Sequence, residues 1–160
     1  MAVASTMPEA GDKAPSFEGI SQSGEKHSLD SYKGQKVALY FYPKDFTPGC
    51  TTQACNLRDG YRELQDAGIA VLGVSPDDAD HHQKFATEYS LPFPLLADPD
   101  KKIMETYGTW GEKNRYGKIV VGVKRTTFLI EEDGVIKHVI KRPMVKDHAQ
   151  QIMKKFGLLD

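Results

Sequence analysis

Val37-Ala38-Leu39-Tyr40-Phe41-Tyr42-Pro43-Lys44-Asp45-Phe46-Thr47-Pro48-Gly49-Cys50-Thr51-Thr52-Gln53-Ala54-Cys55 is the stretch that decides the fold of this chain. Residues 37–42 are apolar or aromatic on both faces, the pattern of a central strand covered on both sides. Pro43 closes that run. Thr47 and Pro48 then read as an N-cap and first helical residue, where the missing proline N–H goes unmissed. Ala54, Leu57, Tyr61 and Leu64 follow at spacings of three and four, which predicts one helix with a core-facing stripe and a stop at Gly68. A second apolar run over 69–74 completes strand, helix and strand within about 40 residues, a right-handed crossover in a parallel sheet.

The rest of the chain extends this unit in both directions. Residues 17–29 carry the turn cluster Ser21-Gln22-Ser23-Gly24-Glu25 between short apolar stretches and predict a small hairpin, after a loose lead-in over about 1–10. A helix from 75–78 to about 89 has Ala79, Phe85, Ala86 and Tyr89 as its inner face, and His81-His82 at its start read as a solvated pair. Pro92 and Pro94 limit the next strand to a few residues. A brief helix over 101–107 leads to a polar loop, 108–118, that holds the only tryptophan, Trp110. Residues 125–130 and 135–140 flank Glu131-Glu132-Asp133-Gly134, a strong hairpin signal. Ala149, Ile152, Met153 and Phe156 share one face of a last helix. The expected architecture is α/β, a central mixed sheet with helices on both faces, in one domain spanning 1–160.

A chain of 160 residues can bury a core without disulfides or metals. Its 21 basic and 22 acidic residues give a formal net charge of -1, which leaves no electrostatic footprint for nucleic acid or an anionic membrane. No window reaches the roughly 18 apolar residues of a membrane span, and residues 1–10 lack the basic start and apolar core of a secretory signal. The expectation is a soluble, cytoplasmic protein, with the proviso that an organellar targeting segment already removed would leave no mark.

The chain has two cysteines, too few for a secreted disulfide scaffold, so reactivity and metal binding are weighed against inert burial. Cys50 is the third residue of the predicted helix, among unpaired backbone N–H groups at the positive end of the helix dipole. That setting favours a thiolate, the nucleophilic form; the plain alternative is a small buried hydrophobe. Cys55 lies five residues on, where an ideal helix puts the two Cα atoms about 8.7 Å apart. A disulfide needs less than about 7 Å, so direct bonding requires the helix start to unwind. Gly49, Thr51, Thr52 and Asn56 weaken that start, and the polar row of Cys55, Asp59 and Arg62 keeps Cys55 near the surface. His27, His81, His82, His138 and His148 provide no companion pattern for zinc, and no C-x-x-C motif is present.

Residues 41–59, with Pro43, Thr47 and Cys50 as the Pro-x-x-x-Thr-x-x-Cys core, resemble the active-site segment of the peroxiredoxins, in particular the bacterioferritin comigratory protein or peroxiredoxin Q subfamily. Gly11-Asp12-Lys13-Ala14-Pro15-Ser16-Phe17, Gly73-Val74-Ser75, Trp110-Gly111-Glu112-Lys113 and Arg125-Thr126-Thr127-Phe128-Leu129-Ile130 extend the likeness over nearly the whole chain. The resemblance implies a thioredoxin-like fold and thiol-dependent reduction of hydrogen peroxide and organic hydroperoxides to water or alcohols, with no cofactor. It implies Cys50 as the peroxidatic cysteine, Thr47 as a hydrogen-bonding partner of peroxide and thiolate, Pro43 as a shield against water and Arg125 as the cation beside the sulfur. Gln53 stands where relatives carry a group that fixes the arginine.

By the same resemblance Cys55 is the resolving cysteine. It forms an intramolecular disulfide with Cys50 that thioredoxin or a similar dithiol reduces, in a monomer or weak homodimer. Without the resemblance Thr47 is only an N-cap, Pro43 only a strand terminator and Arg125 only a polar residue at a strand start. A redox-signalling module that recruits a partner on oxidation and an inert domain with buried cysteines are the competing functional classes.

Overall fold

A computed structural model describes residues 7–158, so residues 1–6 of the expected lead-in lie outside the described part. Strands β1 (Glu18–Ser21) and β2 (Lys26–Ser28) form the first hairpin and are followed by a 3-10 turn at Leu29–Tyr32. β3 (Lys36–Phe41) leads to α1 (Pro48–Asp59), α2 (Tyr61–Asp66), β4 (Ile69–Ser75) and α3 (Ala79–Tyr89). Then come β5 (Leu95–Ala97), α4 (Lys102–Thr106), β6 (Trp110–Arg115), β7 (Lys118–Val123), β8 (Thr126–Ile130), β9 (Ile136–Ile140) and α5 (His148–Lys155).

Seven strands form one sheet in the order β2-β1-β5-β4-β3-β8-β9. β3 pairs parallel with β4 and antiparallel with β8, so the sheet is mixed. The apolar run of β3 serves two cores because successive side chains point to opposite faces. Ala38, Tyr40 and Tyr42 pack with Ala54, Leu57, Leu64, Ile152 and Phe156 from α1, α2 and the end of α5. Val37, Leu39 and Phe41 pack on the other face with Phe17, Met104, Tyr107 and Phe128. Helices thus cover both faces, as the pattern of buried strands requires.

Three local expectations are corrected. The helix expected to run to Gly68 is interrupted at Gly60, between α1 and α2. A Cβ built at Gly60 would lie 2.6 Å from Ala149 Cβ, so the glycine lets α5 approach bare backbone. Asn56, expected to weaken the helix, instead fastens it: its Nδ2 donates to Lys146 O at 2.9 Å and its Oδ1 accepts from Ala149 N at 2.8 Å.

The loop expected over 108–118 is the hairpin of β6 and β7. Tyr116 and Gly117, at φ 54° and 81°, supply the two left-handed residues of a tight turn. Its first strand, with Glu112, Lys113 and Asn114, lacks the apolar alternation that would have marked it.

Candidate active site

β3 ends at Phe41, and Pro43 to Thr47 carry the chain to α1, so the first turn of α1 sits at the carboxyl end of the central strand. Thr47 has the extended backbone of an N-cap, but its hydroxyl donates to Lys44 O at 2.7 Å and makes no cap hydrogen bond. The expected side-chain cap is therefore absent. Because Pro48 has no N–H, Gly49 and Cys50 provide the free backbone donors of this turn.

Cys50 is 2% exposed and faces the core cluster behind β3. Arg125, one residue before β8, reaches across from the neighbouring strand. Its Nη2 donates to Cys50 Sγ at 3.2 Å and its Nη1 to Gln53 Oε1 at 2.6 Å. Gln53 is fully buried one helical turn beyond Cys50, so one guanidinium is fixed between a sulfur and an amide. The fold thereby brings Cys50, Gln53 and Arg125 into direct contact across 72 and 75 residues of sequence. Gly49 lies against the same group: a Cβ there would stand 3.3 Å from Arg125 Nη2.

Arg125 and Pro43 also line a cleft of about 520 Å³ whose walls include Lys113, Lys124, Lys141 and Arg142. It leaves the half-buried Arg125 open towards solvent on that side. Cys55 is half-buried on the same helix, and both thiols are free. Both lie within α1, so the separation expected of an ideal helix stands between them.

The surroundings include buried groups that sequence reasoning did not select. Tyr40 Oη is buried with no hydrogen-bond partner among the described residues. Burial, then the charges of Asp45 and Cys50, hold its ionisation well above the ordinary phenol range. His148 is buried at the start of α5, its Nε2 2.8 Å from Thr127 Oγ1 and its Nδ1 2.8 Å from Gln151 Oε1. Since the amide oxygen only accepts, Nδ1 carries the proton and Nε2 accepts from the threonine. Burial drives its pKa down to about 4, with Arg125 adding to the effect.

His82, read from sequence as solvated, is fully buried and bonded to Asp45. The signal available for it was its place in α3 three residues before the core residue Phe85.

A mixed sheet flanked by helices, with one thiol held at a helix N-terminus by an arginine from the adjacent strand, defines a thioredoxin-like protein built for thiol chemistry. Comparison with known proteins narrows this. Residues 10–139 match the AhpC/TSA family. The chain is 45% identical over 145 residues to the peroxiredoxin Bcp of Escherichia coli (strain K12), covering 91% of this chain and 93% of that protein. It is 41% identical over 146 residues to the peroxiredoxin Bcp of Bacillus subtilis (strain 168), covering 91% and 93%. The solved structure of the bacterioferritin comigratory protein of Xanthomonas campestris, studied for its alkyl peroxide reduction activity, superposes with a TM-score of 0.82. It is 32% identical and covers 88% of this chain and 90% of that one. This chain belongs to the AhpC/TSA family. Among the described residues no helix is long and apolar enough to cross a membrane.

Proposed function

We propose that this thiol-dependent peroxidase reduces hydrogen peroxide and organic hydroperoxides through Cys50, with Cys55 as resolving thiol. The observation that carries the reading is the single guanidinium of Arg125 spanning Cys50 Sγ and Gln53 Oε1. A cation donating directly to sulfur favours the thiolate and stabilises charge as it moves onto the departing oxygen.

In the first step Cys50 Sγ, as thiolate, attacks the terminal oxygen of R–O–O–H. The S–O bond forms and the O–O bond breaks. The electron pair leaves with RO⁻, which takes a proton to give water or an alcohol, and sulfur is oxidised to sulfenic acid. The Thr47 hydrogen is committed to Lys44 O, so its oxygen serves as acceptor for the peroxide O–H while Gly49 and Cys50 N–H donate to peroxide oxygen. Pro43, on the cleft wall, limits water at the sulfur, and Gln53 holds the arginine.

In the second step the Cys55 thiol attacks Cys50 Sγ. The S–S bond forms and hydroxide leaves, protonated to water. This step requires residues 50–55 to leave the helix. The Asn56 latch to the start of α5 bounds the unwound segment. A dithiol protein of the thioredoxin kind then returns both cysteines to thiols by exchange.

A peroxidase assay coupled to a thioredoxin recycling system tests the whole cycle. Parental protein is expected to turn over, Cys50→Ser to be inactive, and Cys55→Ser to consume one equivalent and stop. Turnover by Cys50→Ser at the parental rate would overturn the reading.

A further inference from the structure

The loop that carries Thr47 has a strained and heavily tethered backbone. Phe46 has a φ of 66°, a region costly for a bulky residue. Its ring packs edge-on against Phe85 at 5.1 Å and His81 at 5.4 Å, both from α3. Asp45, the residue before it, is buried although acidic. Its Oδ1 accepts from Tyr42 Oη at 2.6 Å and its Oδ2 lies 2.6 Å from His82 Nδ1. The Asp45 backbone N–H donates to Asp77 Oδ2 at 2.8 Å, and Ser75 Oγ donates to that same oxygen at 2.7 Å.

His82 fixes the chemistry of this cluster. Its Nε2 lies 3.1 Å from Leu96 O, which only accepts, so Nε2 carries a hydrogen. Its Nδ1 faces a carboxylate oxygen, so a second proton lies on the line between ring and carboxylate. Asp45 and His82 thus form a buried pair with opposite charges or one shared proton, tied to β5 through Leu96 and to the end of β3 through Tyr42. Among the described residues neither bonds to Cys50, Arg125 or Thr47, so the reaction described above leaves the pair unused.

We propose that Asp45 and His82 are positioning residues: they pin the strained 43–47 loop onto α3 and β5 so that Pro43 and Thr47 are held in register with Cys50. The pair acts through geometry. This rests on Cys50 being the site of peroxide attack. Selectivity for peroxide over other electrophiles depends on the loop, whereas the nucleophilicity of sulfur depends on Arg125 and the helix N-terminus. A displacement of about 1 Å in a positioning group can cost about a hundredfold in rate, so the loop anchor should be visible in kinetics.

The test compares two second-order rates at Cys50, with hydrogen peroxide and with iodoacetamide, in Cys55→Ser backgrounds of parent, Asp45→Ala, Asp45→Asn and Asp77→Ala. Asn at position 45 can accept from Tyr42 and donate to a neutral His82 without any ionised group, so it restores the geometry. The expected result is a loss of about thirtyfold or more in the peroxide rate of Asp45→Ala, with its alkylation rate within about threefold of parent. Asp45→Asn recovers to within about threefold of parent in both rates. Asp77→Ala removes the acceptor of the Asp45 backbone N–H and of Ser75 Oγ and the carboxylate beside His81, but leaves the Asp45–His82 pair in place; it loses about tenfold towards peroxide alone and decides the matter if Asp45→Ala does not fold.

Parental peroxide rates in Asp45→Ala and Asp77→Ala, an equal fall in alkylation, or an Asn variant as slow as the Ala variant would each overturn the proposal. A parent that shows no fast peroxide reaction would instead overturn the function from which it starts.

Discussion

If Cys55 reaches Cys50 only after the start of α1 unwinds, strengthening that helix should slow disulfide formation without slowing the attack on peroxide. Thr51 and Thr52 lie between the two cysteines in α1, half-buried, and neither side chain makes a hydrogen bond among the described residues. Replacing each by alanine improves helix propensity by about 0.6 kcal/mol, about 1.2 kcal/mol for the pair, which lowers the unwound population about eightfold. The Asn56 latch keeps the change local.

Rapid mixing with peroxide followed by quenching with an alkylating reagent separates a first phase proportional to peroxide concentration from a second, independent of it. In Thr51→Ala/Thr52→Ala the first phase should stay within about twofold of parent and the second should slow about eightfold. The longer-lived sulfenic acid should also overoxidise more at high peroxide. Thr52→Gly, a poorer helix former, should shift the second phase the opposite way. An unchanged or faster second phase in the double alanine variant would refute the unwinding step.

Arg125→Met removes the donor to Cys50 Sγ and should lower the peroxide rate by about 10²–10³, measured by competition with a second peroxide scavenger. Arg125→Lys should fall in between, since one ammonium cannot serve sulfur and Gln53 in the same planar geometry. Tyr40→Phe deletes a buried hydroxyl without a partner among the described residues and should raise stability by about 1 kcal/mol in denaturant titrations; a loss would reveal a partner for that group. For His148 the folded pKa is about 4, below the unfolded value of about 6.5. The unfolded state therefore binds the proton first, and stability is complete above about pH 6.5 and falls progressively down to about pH 4, by about 3 kcal/mol in total. The difference in urea midpoint between parent and His148→Gln should change over that window and flatten outside it.

The strand 37–42 and the helix opening at Pro48 were legible because proline, apolar runs and helix-capping chemistry act over a few residues. Cys50 came with them as a candidate reactive thiol, whereas Thr47, Pro43 and Gln53 drew their proposed roles from the family likeness. Arg125 could be selected only through the family likeness, because its contact with Cys50 depends on β8 pairing beside β3, a long-range consequence of the sheet. His82 was misread for the same kind of reason. Two adjacent histidines in a polar helix look solvated until Asp45, 37 residues away, is brought underneath them. The hairpin of β6 and β7 was missed because β6 is polar and β7 is mostly exposed, so neither strand carries an alternating pattern, while Gly60 and Asn56 acquire their meaning only when α5 packs on α1.

The most direct test is the mass of the protein after one equivalent of hydrogen peroxide, with peptide mapping of the cysteines. A loss of about 2 Da, with Cys50 and Cys55 recovered in a single cross-linked peptide from a monomer, is predicted for the parent. A gain of oxygen on Cys50 with Cys55 still free, or a Cys50 thiol left unreacted, would contradict the two-cysteine cycle.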